Sequence, residues 1–291
     1  MQGTVDGFSY GAVTPVVAYL MACIGGALGL RCTSRYLLVT GSWRPAWLAL
    51  GAAAIGSGIW TMHFVAMMGF SIEGTAMHYD KPITFASLAL AIVMVGVGIF
   101  IVGYRGATGT ALFTGGTITG LGIASMHYLG MAGVRFHGRF TYSTPTVAVS
   151  VVIAVVAATV ALWAAGRVHG FPGSVGASLV MGLAVSGMHY TGMAALGVRL
   201  DGPSHAAASG PGASVLAPML IGPLALLLLA GAVVIFDPML MARADRTPVE
   251  DRPGVPAAAV AAHPGRRPAL HEGQGPIRRP EHYGSRTPQN R

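Results

Sequence analysis

Three histidines of this sequence share one local pattern. Each follows a methionine directly and precedes another by four residues, in the segments Met62-His63-Phe64-x2-Met67, Met126-His127-Tyr128-x2-Met131 and Met188-His189-Tyr190-x2-Met193. Methionine accounts for 15 of the 291 residues and histidine for 10, so composition alone does not produce this recurrence. The histidines are 64 and 62 positions apart (127 − 63 and 189 − 127), which indicates an internal repeat of that length.

Imidazole nitrogen and thioether sulphur are uncharged, comparatively soft metal ligands. Together they suit copper, above all Cu(I), better than zinc, magnesium or manganese. The sequence therefore predicts a copper site without carboxylates, and we expect no catalytic residues. Its predicted ligands are the motif histidines and the methionines beside them: His63, Met67, His127, Met131, His189, Met193, Met62, Met126 and Met188.

Helical geometry places these ligands on one face. At about 100° per residue, a histidine and the methionine four positions later are about 40° apart. A glycine lies seven positions before each histidine, at Gly56, Gly120 and Gly182, and a small residue lies three positions after it. Small residues allow transmembrane helices to approach closely. We therefore expect the histidine face to be turned toward neighbouring helices.

The elements that carry the motifs are predicted to be transmembrane helices. Only 10% of the residues are charged, and seven uncharged runs of at least 23 residues separate them. Each run can hold a membrane span, which needs about 20 apolar residues. The predicted fold is all-α: a polytopic seven-transmembrane-helix bundle built from three two-helix repeats plus a seventh helix. Its spans are expected near 12–30, 46–69, 82–104, 110–132, 146–166, 175–197 and 215–236.

Arginine and lysine positions predict the orientation. With the N-terminus outside, the inner connections hold Arg31, Arg35, Arg44, Arg105, Arg167, Arg243 and Arg246, and the outer loops hold Lys81, Arg135, Arg139 and Arg199. Seven against four agrees with the usual cytoplasmic excess. We thus expect a multi-pass protein of the cell membrane whose C-terminus is cytoplasmic. In this orientation the three histidines share a layer toward the outer surface.

The remaining charge is attributed to the end of the chain. Residues 1–240 are predicted to form the membrane domain, and residues 241–291, with eight prolines and nine arginines, a disordered cytoplasmic tail. The formal net charge of +8 is therefore read as orientation and tail composition. Nucleic acid is not an expected partner, whereas the lipid bilayer is.

The repeated motif resembles that of the MHYT domain, a bacterial integral membrane sensory module named for Met-His-Tyr-Thr. The full tetrapeptide stands at Met188-His189-Tyr190-Thr191, and the other copies read Met-His-Tyr-Leu and Met-His-Phe-Val. The resemblance covers about residues 10–240. It implies seven spans, copper near the outer face, and sensing of oxygen, carbon monoxide or nitric oxide. Members are often fused to cyclic di-GMP or DNA-binding output domains. We expect this chain to signal through a separate, unknown cytoplasmic partner.

Other interpretations of the same residues stay open. The histidines could hydrogen-bond across helices, the methionines and glycines could serve packing alone, and Tyr128 and Tyr190 could belong to an interfacial belt. Histidine and methionine are also axial ligands of haem, so a haem-binding membrane protein is one alternative. A transporter of copper or of a small solute is another, and a membrane oxidoreductase is the last.

Overall fold

The fold is described from a computed structural model. It describes residues 5–6, 11–38, 43–73, 75–168, 170–201 and 213–237. The tail predicted at 241–291 lies outside the described residues. Seven α-helices account for most of the described chain: α1 Val13–Leu38, α2 Arg44–Met68, α3 Lys81–Arg105, α4 Gly109–Ala132, α5 Thr144–Arg167, α6 Phe171–Ala194 and α7 Ala213–Ile235.

The seven-helix prediction is confirmed. Six of the described helices are long and apolar enough to cross a membrane. The seventh, α4, has 24 residues like α5 and α6, but glycine and threonine lower its apolar content. The chain is thus an all-α, multi-pass membrane protein. Each helix satisfies its backbone hydrogen bonds internally, as the apolar interior of a bilayer requires.

Local signals set where the helices begin. The Asp80 side chain accepts a hydrogen bond from the Ile83 backbone N–H at 3.2 Å, which caps α3. Thr108 caps α4 in the same way through Ala111. A proline lies in the first turn of α2, α3, α5 and α6, where its missing N–H costs no helical hydrogen bond.

Helices α1 to α6 form a closed ring. Each packs against the next one along the chain, and α6 packs back against α1. The motif helices α2, α4 and α6 also contact one another on the inner side of this ring. Helix α7 lies outside it, against α2 and α1. Three hairpins plus one outer helix is the arrangement that the repeat predicted.

Short antiparallel ribbons cover one end of the bundle, and these were not predicted. Strand β1 (Val5–Asp6) pairs with β2 (Ser71–Ile72), β3 (His78–Tyr79) with β4 (Val134–Arg135), and β5 (Gly138–Tyr142) with β6 (Leu196–Leu200). We call this the ribbon end. The opposite end, where α1, α3 and α5 finish near Arg35, Arg105 and Arg167, is the arginine end.

Helix α1 continues eight residues beyond its predicted end near residue 30. The prediction assumed that Arg31 would terminate the span. In the structure, Arg31 lies over the Phe171 ring, 5.7 Å from its centroid, and Arg35 binds Asp237 at 2.6 Å. Because the two guanidinium groups find partners at the arginine end, the helix carries them without a break.

Candidate metal centre

The three motif histidines lie at the same depth. His63, His127 and His189 are each five residues before the last residue of their helix, which is Met68, Ala132 or Ala194. At 1.5 Å per residue, each imidazole is about 7.5 Å from the ribbon end of its helix. All three side chains expose 2% or less of their surface. The common layer expected from the sequence is therefore present.

The imidazole rings meet on the axis of the bundle. The Nδ1 atom of His63 is 3.0 Å from Nδ1 of His189 and 3.2 Å from Nδ1 of His127. Ring centroids are 4.9 to 5.2 Å apart, and the rings stand nearly perpendicular to one another. These three form the one group of metal-ligating His, Cys, Asp or Glu side chains found among the described residues.

The donor atoms fit a small ion. Three nitrogen ligands at about 2.0 Å from one ion are about 3.3 to 3.5 Å apart, depending on the geometry. The two Nδ1 contacts are slightly shorter than this. Two nitrogen lone pairs cannot face each other at such distances without a proton or a cation between them. A shared proton gives the hydrogen-bonded cluster that the sequence left open, and a cation gives a metal centre.

The outer ring nitrogens differ from those of most metal-bound histidines. The Nε2 atoms of His63 and His127 are buried, and no hydrogen-bond partner for them is found in the described part of the chain. Metal ligands usually donate this second N–H to a carboxylate, a carbonyl or water. The Nδ1 atoms therefore fit a metal. Within the described residues, the hydrogen bond that usually holds the second ring nitrogen of a metal-bound histidine is missing at two of the three positions.

Glycine makes room for two of the rings. A Cβ atom at Gly130 on α4 would lie 2.8 Å from the Nε2 atom of His63 on α2. A Cβ at Gly192 on α6 would lie 2.5 Å from Nε2 of His127 on α4. Ala66 holds the corresponding position on α2 and is buried. The small residues three positions after the histidines thus set the distance between motif helices, as expected.

The glycines seven positions before the histidines serve another contact. A Cβ at Gly56 would overlap the backbone of Ile92 on α3, and a Cβ at Gly120 would overlap that of Val155 on α5. At Gly182 it would meet Cys23 on α1. These glycines join each motif helix to an outer helix, so their role is packing. Helix α1 occupies the place beside α6 that α3 and α5 occupy beside α2 and α4.

The predicted methionine ligands are mostly buried. Five of them expose 1% or less of their surface: Met62, Met67, Met126, Met131 and Met188. Met193 is partly buried and packs against the same hydrophobic core. The six methionines thus lie in the core that surrounds the histidines. Their role as ligands stays a prediction.

In the first two repeats, the aromatic residue after the histidine packs against a neighbouring helix or side chain. The Tyr128 hydroxyl bonds the Ser150 hydroxyl of α5 at 2.6 Å. On α3 the corresponding serine, Ser87, is bonded by the indole N–H of Trp60 at 3.0 Å. Phe64 instead packs against Trp60, with ring centroids 4.5 Å apart and the rings tilted by 45°. The first repeat lacks a phenol because Trp60 supplies the hydrogen bond.

Charge is kept away from the cluster. Asp237, at the arginine end, is the one buried carboxylate among the described residues. At the ribbon end, Tyr79 of β3 packs against Phe64, with ring centroids 6.3 Å apart, and burial raises the pKa of its hydroxyl. The rings therefore lie in an apolar, electroneutral layer, in which a monovalent ion costs less than a divalent one.

Three segments of the chain match the repeat of one protein family. The family model "MHYT: Bacterial signalling protein N terminal repeat" matches residues 56–115, 120–177 and 182–240. Each match begins at one of the glycines seven positions before a histidine, so the family repeat has the same phase as the motif.

Curated proteins with similar sequences are signalling proteins. The "Bifunctional diguanylate cyclase/cyclic di-GMP phosphodiesterase MucR" of Pseudomonas aeruginosa is 37% identical over 81% of this chain and 35% of its own length. The "Cyclic di-GMP phosphodiesterase NbdA" of the same organism is 34% identical over 67% and 26%. "Signaling protein YkoW" of Bacillus subtilis is 32% identical over 66% and 25%. The chain thus spans about a third or less of these relatives. No solved structure matches it significantly.

Proposed function

Because the chain belongs to the MHYT family of bacterial signalling-protein repeats, we propose that it is a membrane sensor that holds copper between α2, α4 and α6. The convergence of the Nδ1 atoms of His63, His127 and His189 carries this proposal. The buried methionines around them add the soft donors that copper prefers. Because two of the outer nitrogens lack support, we expect the affinity to be about 10- to 100-fold below that of a fully supported site.

The residues of the chain convert occupancy of this site into helix movement. Copper supplies a cation whose preferred geometry differs between its two oxidation states. The three histidines come from three separate helices, so a change in their spacing moves α2, α4 and α6 relative to one another. Helix α7 packs on α2 and α1, and it receives any movement of α2. The stimulus is a diatomic gas such as oxygen, carbon monoxide or nitric oxide, or the redox state itself.

The output lies on the cytoplasmic side. The names of two relatives describe cyclic di-GMP enzymes, and the matched region covers 35% and 26% of those proteins. This supports a sensory role for the present chain in cyclic di-GMP signalling, with the catalysis performed by another domain or by a partner. In the proposed orientation the N-terminus is outside the cell membrane and the arginine end is cytoplasmic.

The alternatives fit less well. Rings with Nδ1 atoms 3.0 and 3.2 Å apart leave no space for a flat macrocycle between them, which favours an ion over haem. The described bundle interior offers no carboxylate for proton-coupled transport. A Soret band in the purified protein would restore the haem alternative. Copper accumulation by cells that changes with expression of the chain would restore the transporter.

Metal analysis tests the proposal directly. The purified full chain is loaded with Cu(I), desalted and analysed beside the variants His63→Ala, His127→Ala and His189→Ala. We expect bound copper in the unmodified chain and its loss in each variant. His78→Ala and His137→Ala are the matched controls, because these histidines are exposed at the ribbon end and should leave the copper content unchanged. Copper that survives all three motif substitutions together would refute the site.

A further inference from the structure

An apolar, partly open cavity lies on the axis of the bundle, and we call it the axial chamber. All six helices of the ring contribute side chains to its wall, and its volume is about 40 Å³. Its position follows from the repeat. Ile59, Ile123 and Val185 line it, and each of them lies four residues before a motif histidine.

A second layer of the wall repeats this relationship one turn further on. Ile55, Thr119 and Met181 also line the chamber, and each lies eight residues before a motif histidine. At 1.5 Å per residue, the two layers are about 6 and 12 Å below the imidazoles. The chamber is therefore coaxial with the histidine cluster and lies about one helical turn below it. These six residues were not among the predicted site residues, although their matching positions upstream of the three motifs are visible in the repeat.

The wall determines what can occupy the chamber. Its side chains are apolar apart from the hydroxyls of Thr33 and Thr119, and no charged residue lines it. A cavity with so few polar groups disfavours water, which needs two to four polar partners, and favours apolar molecules. One water molecule requires about 10 to 15 Å³. The chamber is a few times larger, which admits a molecule of two or three heavy atoms and excludes a lipid chain.

The chamber has an approach from one side. A second cavity of about 160 Å³ shares Thr33, Ile99, Leu162 and Ala165 with it and extends to Gly106 and Ala107, between α3 and α4 at the arginine end. On the other side, Phe64 lies beside the His63 ring, with centroids 4.6 Å apart, and Tyr79 of β3 packs against Phe64 in turn. Apolar space therefore runs from the arginine end to within about one helical turn of the histidines.

We propose that the axial chamber binds an uncharged, apolar molecule of two or three heavy atoms and brings it within one helical turn of the histidine cluster from the arginine end. Binding in the chamber needs no metal. The delivery of the same molecule to a bound ion rests on the proposed function.

Xenon is a suitable probe because it is apolar, of the right size and visible by its anomalous scattering. Crystals of the full chain, prepared without metal and pressurised with xenon, should show an anomalous peak between Ile59, Ile123 and Val185. Absence of that peak in the unmodified protein would overturn the proposal. A lipid or detergent chain in the chamber would overturn it as well.

Variants then locate the site. Ile123→Phe should abolish the peak by filling the chamber, and the milder Val185→Leu should weaken it if the phenylalanine variant fails to fold. Val156→Phe is the matched control, since this α5 residue is 56% exposed toward the lipid and should leave the peak unchanged. Equal xenon occupancy in Val185→Leu and the unmodified chain would argue against the site.

The two proposals fail separately. Xenon in the chamber of a protein that binds no copper would leave the chamber standing and remove the metal centre. Copper on the histidines with no xenon in the chamber would leave the metal centre standing and remove the chamber. A third comparison tests delivery: Val185→Leu should slow the reaction of the Cu(I)-loaded protein with carbon monoxide, followed by infrared absorption, without lowering its copper content. An unchanged rate would remove the delivery step.

Discussion

Gly192 on α6 lies against the imidazole of His127 on α4, so closely that a Cβ atom would come within 2.5 Å of Nε2. The same relationship joins Gly130 to His63. The positions of the rings are therefore fixed partly by the absence of side chains on the neighbouring helices, and small changes at the glycines should disturb the site without touching a ligand.

Gly192→Ala should displace the His127 ring and lower both copper content and stability. Overpacking of this kind costs about 1 to 3 kcal/mol. The measurements are the melting temperature in detergent and bound copper per chain. Gly187→Ala is the control on the same helix, because nothing lies within 4 Å of its added Cβ. If both variants melted and bound copper alike, the close approach of α6 to His127 would be wrong.

Asp237→Ala should loosen the end of α7. Arg35 and Asp237 are 2.6 Å apart, with side chains 12% and 6% exposed, so removal of the carboxylate leaves a largely buried cation. Breaking such a pair costs about 3 kcal/mol or more. We expect faster hydrogen exchange at the arginine end of α7 and a lower melting temperature.

Arg135→Ala is the control for that experiment. It removes an ion pair of 3.3 Å with Asp80 in which the arginine side chain is 61% exposed. Exposed pairs contribute about 0 to 1 kcal/mol. Similar melting temperatures for the two variants would show that the Arg35–Asp237 contact contributes no more than a surface pair.

Alkaline pH should destabilise the ribbon end. Burial, with a smaller effect of neighbouring Tyr128, raises the pKa of Tyr142 from 10.0 to about 12. Because the folded pKa lies above the unfolded one, the stability contributed by neutral Tyr142 is complete below pH 10 and is lost as pH rises to about 12. The melting temperature of Tyr142→Phe should therefore fall less over this interval. Tyr104→Phe, at the arginine end, should behave like the unmodified chain, and a parallel fall in all three would contradict the assignment.

The sequence predicted the helices and the histidine layer because both depend on local patterns. Uncharged runs locate the spans, and a motif that falls a few residues beyond the centre of three spans running the same way places His63, His127 and His189 in one layer. The glycines at positions 130 and 192 were also recognised as contacts between helices. These features follow from residue spacing along a helix of known geometry.

Other features depend on distant parts of the chain and could not be predicted in this way. The extension of α1 past Arg31 depends on Phe171 and Asp237, which lie 140 and 206 residues further on. The ribbons pair segments from different repeats, such as His78 with Arg135. The role of Phe64 became clear only from Trp60 and Ser87 on a neighbouring helix. Contacts of this kind leave no periodic signal in one segment.

The contact of α6 with α1 also has a consequence for biosynthesis. The ring closes between the sixth helix and the first, so α1 enters the membrane long before the partner that completes its surroundings has been translated. The hairpin of α1 and α2 must persist until residue 194 has emerged. Until then, the imidazole of His63 has no contact with His189. Only a chain inserted through its sixth span can assemble the cluster. Translation products that end before α6 therefore lack the centre altogether.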